Sequence, residues 1–119
     1  MKTFDLERLE KEINQFASDR DWNQFHSIKN LSMALSVEAS ELLEIFQWMS
    51  EADSNNIKND ENKMVKVKAE IADVLIYLIR ISSLLELDLE KATLDKIAHN
   101  KEKYPISKVY GSSKKYNEY

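Results

Sequence analysis

Four acidic residues carry the chemistry that this sequence could perform. Glu38 and Glu41 stand three residues apart, as do Glu70 and Asp73. Each pair lies inside an apolar run, Glu38-Ala-Ser-Glu41-Leu-Leu-Glu44-Ile-Phe-Gln-Trp48 and Glu70-Ile-Ala-Asp73-Val-Leu-Ile-Tyr77. On a helix this spacing sets the two carboxylates about 60° apart on one face, one turn from each other. Two such pairs facing one another would form a cluster of four carboxylates in a low-dielectric setting, and these cannot all stay ionised without a cation. An oxygen-only, highly charged, six-coordinate site suits Mg²⁺ or Mn²⁺. Glu38, Glu41, Glu70 and Asp73 are therefore the expected metal ligands. A cation there lets an acidic protein meet a polyphosphate, which points to a metal-dependent helical enzyme acting on a nucleoside triphosphate. Glu44, one turn beyond Glu41, is the candidate general base or outer hydrogen-bond partner, and joins Glu38 and Glu41 as a catalytic candidate.

The elements that must position these acids are helices. The chain has 119 residues with one Gly and one Pro, too few breakers for a β-rich fold with many tight turns. Residues 4–19 read as a first helix, with Leu6, Leu9, Ile13 and Phe16 on one stripe, Thr3 as its cap, and a packing role. Residues 20–27 break the period but carry Trp22, Phe25 and His26. Two readings stand for that connector: aromatic plugs for the end of a bundle, or a wall on which a base stacks. Residues 28–50 read as the second helix, with Glu38 inside its apolar arc, where an acid is costly unless it is salt-bridged or metal-bound. Residues 51–60 read as a polar loop in which asparagines serve turns and Asp60 a cap. Residues 61–86 read as the third and most buried helix, apolar nearly all round from Ile71 to Leu85, as befits the inside of a bundle or a subunit interface. Its Glu70, Asp73 and Tyr77 share a flank with Arg80, for which pairing with an acid is favoured over contact with a phosphate. Asp88 caps a fourth helix over 89–103, with Glu90 near its positive end and Pro105 closing it. The remainder, 106–119, is a polar tail of mobile character. His26 and His99, taken alone, read as surface or capping histidines.

Composition excludes other classes. A net charge of −4 with scattered basic residues disfavours a nucleic-acid surface. The absence of cysteine removes disulfides, thiolate catalysis and Cys-type zinc sites. The longest apolar run falls far short of a membrane span and the first residues hold no apolar signal region, so a cytoplasmic protein with no membrane partner is expected. A di-iron carboxylate bundle would want a Glu-x-x-His step on two helices, and none occurs.

At these residues the chain resembles the MazG-like, all-α nucleoside triphosphate pyrophosphohydrolases, and within them the dCTP pyrophosphatase-like branch. The family pattern of Glu-x-x-Glu, spacer and Glu-x-x-Asp falls on Glu38, Glu41, Glu70 and Asp73. Further blocks match over most of the chain: Arg20-Asp-Trp-Asn-Gln-Phe-His26, Lys29-Asn-Leu31, Phe46-Gln-Trp48, Asp73-Val-Leu-Ile-Tyr77-Leu, Asn100-Lys-Glu-Lys-Tyr104-Pro105 and Ser113-Lys-Lys-Tyr116. The resemblance implies an all-α, four-helix bundle over 1–105 that forms a homodimer or homotetramer. It implies Mg²⁺-dependent cleavage of a dNTP between its α and β phosphates to a dNMP and pyrophosphate, which cleans the nucleotide pool. It also implies a substrate-binding set. Trp22 and Trp48 would hold the base, Tyr77 and Asn100 would meet sugar or phosphate, and Lys103, Tyr104 and Lys115 would reach the phosphates. His26, in the first matching block, belongs with them. Animal members of the branch carry a His in the first helix where this chain has Ile13, so the substrate is a dNTP with only a lean toward dCTP. Two other readings remain, a non-catalytic helical interaction module and a phosphoribosyl-ATP pyrophosphatase-like enzyme.

Overall fold

Each of five helices begins on a side chain placed to accept the free N–H groups of its first turn. Asp5, Ser27, Ser50, Asp60 and Asp88 accept from the backbone N–H of Arg8, Asn30, Asp53, Lys63 and Lys91. Such a cap is worth about 1 kcal/mol, and it decides where a helix starts. In the computed structural model, which describes residues 3–113, these caps open α1 (Leu6–Asp19), α2 (Ile28–Phe46), α3 (Glu51–Asn55), α4 (Glu61–Leu84) and α5 (Leu89–Lys103). A short α6 (Ile106–Val109) follows Pro105. Single turns of 3₁₀ helix lie at Asn23–Phe25 and Ile57–Asn59. No strand occurs among the described residues, and no helix there is long and apolar enough to cross a membrane.

The four expected helices are all present, with Asp60 and Asp88 in the capping roles that the sequence indicates. Several expectations need correction. The cap of α1 is Asp5 rather than Thr3, because Asp5 stands directly before the first helical residue. The second helix stops at Phe46, and the expected loop 51–60 contains α3 and a 3₁₀ turn. The cause is Ser50, which caps a new helix whose first turn carries Glu51 and Asp53, both favourable at a helix N-terminus. The expected polar tail also holds α6.

The chain divides after Leu85 into two compact units. In the first, α2 runs along α4 and α1 packs on α4. Leu31 of α2, Ala17 of α1, and Val67 and Ile79 of α4 form its buried apolar centre. Of the two settings expected for α4, the inside of a bundle or a subunit interface, the single chain does not show full enclosure. Val65, Ile71 and Leu78 face outward, and on α2 so do Met33, Val37 and Leu43. Ile71 and Leu78 share one side of α4, whereas Val65 lies well round the helix from them. The second unit contains α5 and α6.

Candidate active site

The antiparallel packing of α2 and α4 brings the acid pairs together. Carboxylate oxygens of Glu38, Glu41 and Glu70 all lie within 4.8 Å of one another, and all three residues are half-buried. Oxygen Oε2 of Glu38 and Oε2 of Glu70 are both buried without a hydrogen-bond partner. Among the described residues the salt bridges are Lys63–Asp60 and Lys91–Asp95, so the salt-bridge reading of Glu38 is not borne out. Burial, followed by the closeness and charge of Glu41 and the charge of Asp73, pushes the Glu38 carboxyl up to about 7. Burial and then Glu41 also raise Glu70. An oxygen-only donor set with two inaccessible, unpartnered carboxylate oxygens fits a hard divalent cation. Asp73 stands outside that trio, but it is near enough for its charge to raise both glutamates.

Glu38 and Asp73 also form one end of a pocket of about 390 Å³. Ile76, Tyr77 and Arg80 of α4 line it further, together with Glu12, Ile13, Phe16 and Ala17 of α1 and with Trp22 and His26. The first helix therefore does more than pack, since it supplies one wall of the pocket. Burial and the charges of Glu38, Asp73 and Glu41 raise the Tyr77 phenol, so it remains a hydroxyl that can donate.

The backbone places Trp22 deliberately. At the end of α1 the Trp22 N–H donates to the Ala17 carbonyl and the Asp21 N–H to the Ser18 carbonyl, the paired bonds of a Schellman motif. Asp21 takes the left-handed conformation (φ 54°) that this motif usually gives to glycine. The chain is thereby turned so that Trp22 meets Phe16 edge to face at 5.6 Å and His26 at 6.3 Å between ring centres. Trp22 packs on α1 and lines the pocket at 43% exposure, whereas Phe25 is 60% exposed, so the reading of the connector as aromatic plugs does not hold for Phe25.

Arg80 corrects another expectation. Among the described residues it pairs with no acid; its described hydrogen bonds run to His26, Asn14 and Asn23, all neutral acceptors. Burial pulls its basicity down from the usual arginine value. Burial and the nearby guanidinium lower the His26 imidazole. Neither His26 nor Arg80 is a plain surface group.

Glu44 is exposed on α2, one turn past Glu41. Trp48 follows α2 with 90% of its surface exposed and is not part of the pocket wall. Asn100 and Lys103 belong to the end of α5 and Tyr104 is its C-cap, all in the second unit. Lys115 lies outside the described residues. The sequence reading missed Glu12, Asn14, Phe16 and Asn23 as site residues. One signal was present, since Glu10, Asn14 and Ala17 share a helical face, which puts polar groups beside a buried alanine.

Comparison with known proteins bears on the family and the fold. Residues 33–119 match the model of the MazG-like family. The dCTP pyrophosphatase 1 of Rattus norvegicus is 38% identical over 114 residues, covering 96% of this chain and 65% of the relative. The dCTP pyrophosphatase 1 of Homo sapiens is likewise 38% identical over 114 residues. The chain thus spans just under two thirds of the length of these relatives. A crystal structure of a pyrophosphatase from Archaeoglobus fulgidus superposes with a TM-score of 0.76 at 34% identity, covering 88% of this chain and 96% of that one.

Proposed function

This chain belongs to the MazG-like family, and we propose that it is a nucleoside triphosphate pyrophosphohydrolase, converting a dNTP and water to a dNMP and pyrophosphate. One observation carries the reading. Oxygens of Glu38, Glu41 and Glu70 converge, with Oε2 of Glu38 and of Glu70 buried and unpartnered, and Glu38 with Asp73 also lines a pocket walled with aromatic and apolar side chains. That juxtaposition suits a molecule with a flat apolar end and a polyanionic end.

Glu38, Glu41 and Glu70 would hold Mg²⁺ or Mn²⁺, with Asp73 completing the acid group from the same pocket. Such an ion, when bound, neutralises phosphate charge and acidifies a coordinated water. The chain's own residues do the rest. Trp22, Phe16 and Ile76 take the base between apolar surfaces and exclude water from it. The Tyr77 hydroxyl donates to the sugar or a phosphate oxygen. Glu44 takes the proton of the attacking water as an oxygen–phosphorus bond forms and the bridge between the α and β phosphates breaks. Asn100, Lys103, Tyr104 and Lys115 are proposed to reach the phosphates, and Trp48 and His26 to complete the base site.

The named relatives are dCTP pyrophosphatases, and this supports a lean toward dCTP. Glu12 in the pocket wall is an acceptor suited to an exocyclic amine, while Ile13 beside it offers no hydrogen bond. The outward apolar side chains of α2 and α4 support assembly as a homodimer or homotetramer. The proposed setting is the cytoplasm, where the enzyme would clear excess or non-standard dNTPs without binding nucleic acid or membrane.

The test is a panel of nucleoside triphosphates incubated with protein and Mg²⁺, with products separated by chromatography. Monophosphate and pyrophosphate in equal amounts, fastest from dCTP, are expected. Intact triphosphates throughout, or release of single phosphates, would refute the reading.

A further inference from the structure

Arg80 is only 5% exposed, yet the groups it meets carry no negative charge. A buried cation without an acid is costly, so its retention needs a compensating role. Its planar guanidinium is a rigid fork of donors. Nε donates to Nδ1 of His26 at 3.2 Å, and the two terminal nitrogens donate to Oδ1 of Asn14 at 2.7 Å and Oδ1 of Asn23 at 2.5 Å. These acceptors come from α1, from the 3₁₀ turn beside Trp22, and from the segment that leads into α2.

Two of these acceptors, Asn14 and His26, are fixed in orientation. The Asn14 amide nitrogen donates to Ser83 Oγ, and that hydroxyl donates to Oε1 of Glu10, so the Asn14 oxygen must face the guanidinium. Arginine has no acceptor, so Nδ1 of His26 must be unprotonated and the neutral ring carries its proton on Nε2. The turn has other ties, but these run to α1 through the Schellman bonds and to α2 through the Asn30 amide on the Phe25 carbonyl. Among the described hydrogen bonds, only Arg80 fastens it to α4, the helix that carries Asp73 and Tyr77. Arg80 lies seven residues beyond Asp73, a rise of about 10 Å along the helix.

We propose that Arg80 is a positioning residue: its three-pronged fork locks the Trp22–His26 wall to α4 at a set distance from the acid cluster, and so determines how tightly the base end of the substrate is held. The substrate half of this statement rests on the function proposed above; the placement of the wall does not. Asn23 is the lever for testing it, because it touches Arg80 without lining the pocket. Asn23→Ala cuts one prong and leaves Arg80 in place, and Asn23→Asp restores an acceptor of the same shape.

The first readout needs no activity. With Trp48→Phe in the background, Trp22 is the sole tryptophan, and acrylamide quenching reports its freedom. Quenching should rise at least about twofold with Asn23→Ala and return with Asn23→Asp. The second readout is kinetic, with Trp48 intact: Asn23→Ala should raise KM roughly tenfold while kcat changes less than about twofold, and Asn23→Asp should restore KM; Arg80 lines the pocket itself, so its own substitution is not used for this readout. A purely structural role would lower the melting temperature and active fraction with KM unmoved. Unchanged quenching overturns the proposal, as does an unchanged KM in an active Asn23→Ala enzyme. Should the unaltered protein cleave no triphosphate, the function reading fails and quenching alone decides the placement.

Discussion

Glu38 lies where the apolar stripe of α2 should contain only hydrocarbon, and its behaviour follows from that position. Its ordinary carboxyl value is 4.5, and the folded chain raises it to about 7. Between those values the folded state keeps a proton that the unfolded chain has released. Its contribution to stability without metal is therefore full below about pH 4.5 and is lost as pH rises through about 7. Glu38→Gln removes the titration. Urea unfolding in chelator at pH 5 and pH 8 should show a smaller loss of stability for this variant than for the unaltered chain, and the variant should lose at least about 100-fold in turnover with Mg²⁺. An equal pH slope in the two proteins would show that the acid cluster does not strain the fold. The site was legible at this scale because an i, i+3 pair of acids on an apolar arc is conspicuous. Arg80 was misread because the expectation of an acid partner is made from charge alone, whereas Asn14 and Asn23 reach it only through tertiary contact.

At the scale of elements, the helices were readable where apolar periodicity ran long, and unreadable where a cap did the work. Ser50 starts α3 inside a stretch rich in Ser and Asn, residues that favour turns and helix starts alike. The wall contributed by α1 was hidden for a different reason. The stripe of Leu6, Leu9, Ile13 and Phe16 shows that one face is apolar, but not that Phe16 and Ile13 border a cavity rather than a filled core. The turn after α1 offers a direct check. Asp21 holds a left-handed conformation that disfavours any residue with a Cβ, offset in part by the Gln24 amide donating to its carboxylate at 2.9 Å. Asp21→Gly should stabilise the protein by about 0.5–1 kcal/mol in urea titration, with the Trp22 environment unchanged. Destabilisation would mean that the Gln24 contact outweighs the backbone strain.

For the whole molecule, the exposed apolar residues of α2 and α4 are the dominant feature. Val65 is 71% exposed and Leu43 60% exposed, which is unusual for long aliphatic runs on the helices that carry the site. Covering them with a second copy would bury apolar surface worth about 25 cal/mol per Å². The unaltered protein should sediment as a dimer or tetramer, and Ile71→Lys with Leu78→Lys should shift it toward monomer. A monomer at tens of micromolar for the unaltered chain would refute assembly through the Ile71 and Leu78 side of α4. The sequence signalled that face through the all-round apolarity of α4, but periodicity alone cannot separate a bundle interior from an interface between copies.

The most direct test of the central claim is metal binding itself. Mn²⁺ has a sharp paramagnetic resonance signal when free in solution, and this signal weakens on binding. Titrated with Mn²⁺, the unaltered protein should remove the free-ion signal and release it when Mg²⁺ is added, while Glu38→Gln with Glu70→Gln should leave the signal at its protein-free level. Equal Mn²⁺ capture by the two proteins, or none by the unaltered one, would contradict the assignment of Glu38, Glu41 and Glu70 as the seat of a divalent cation.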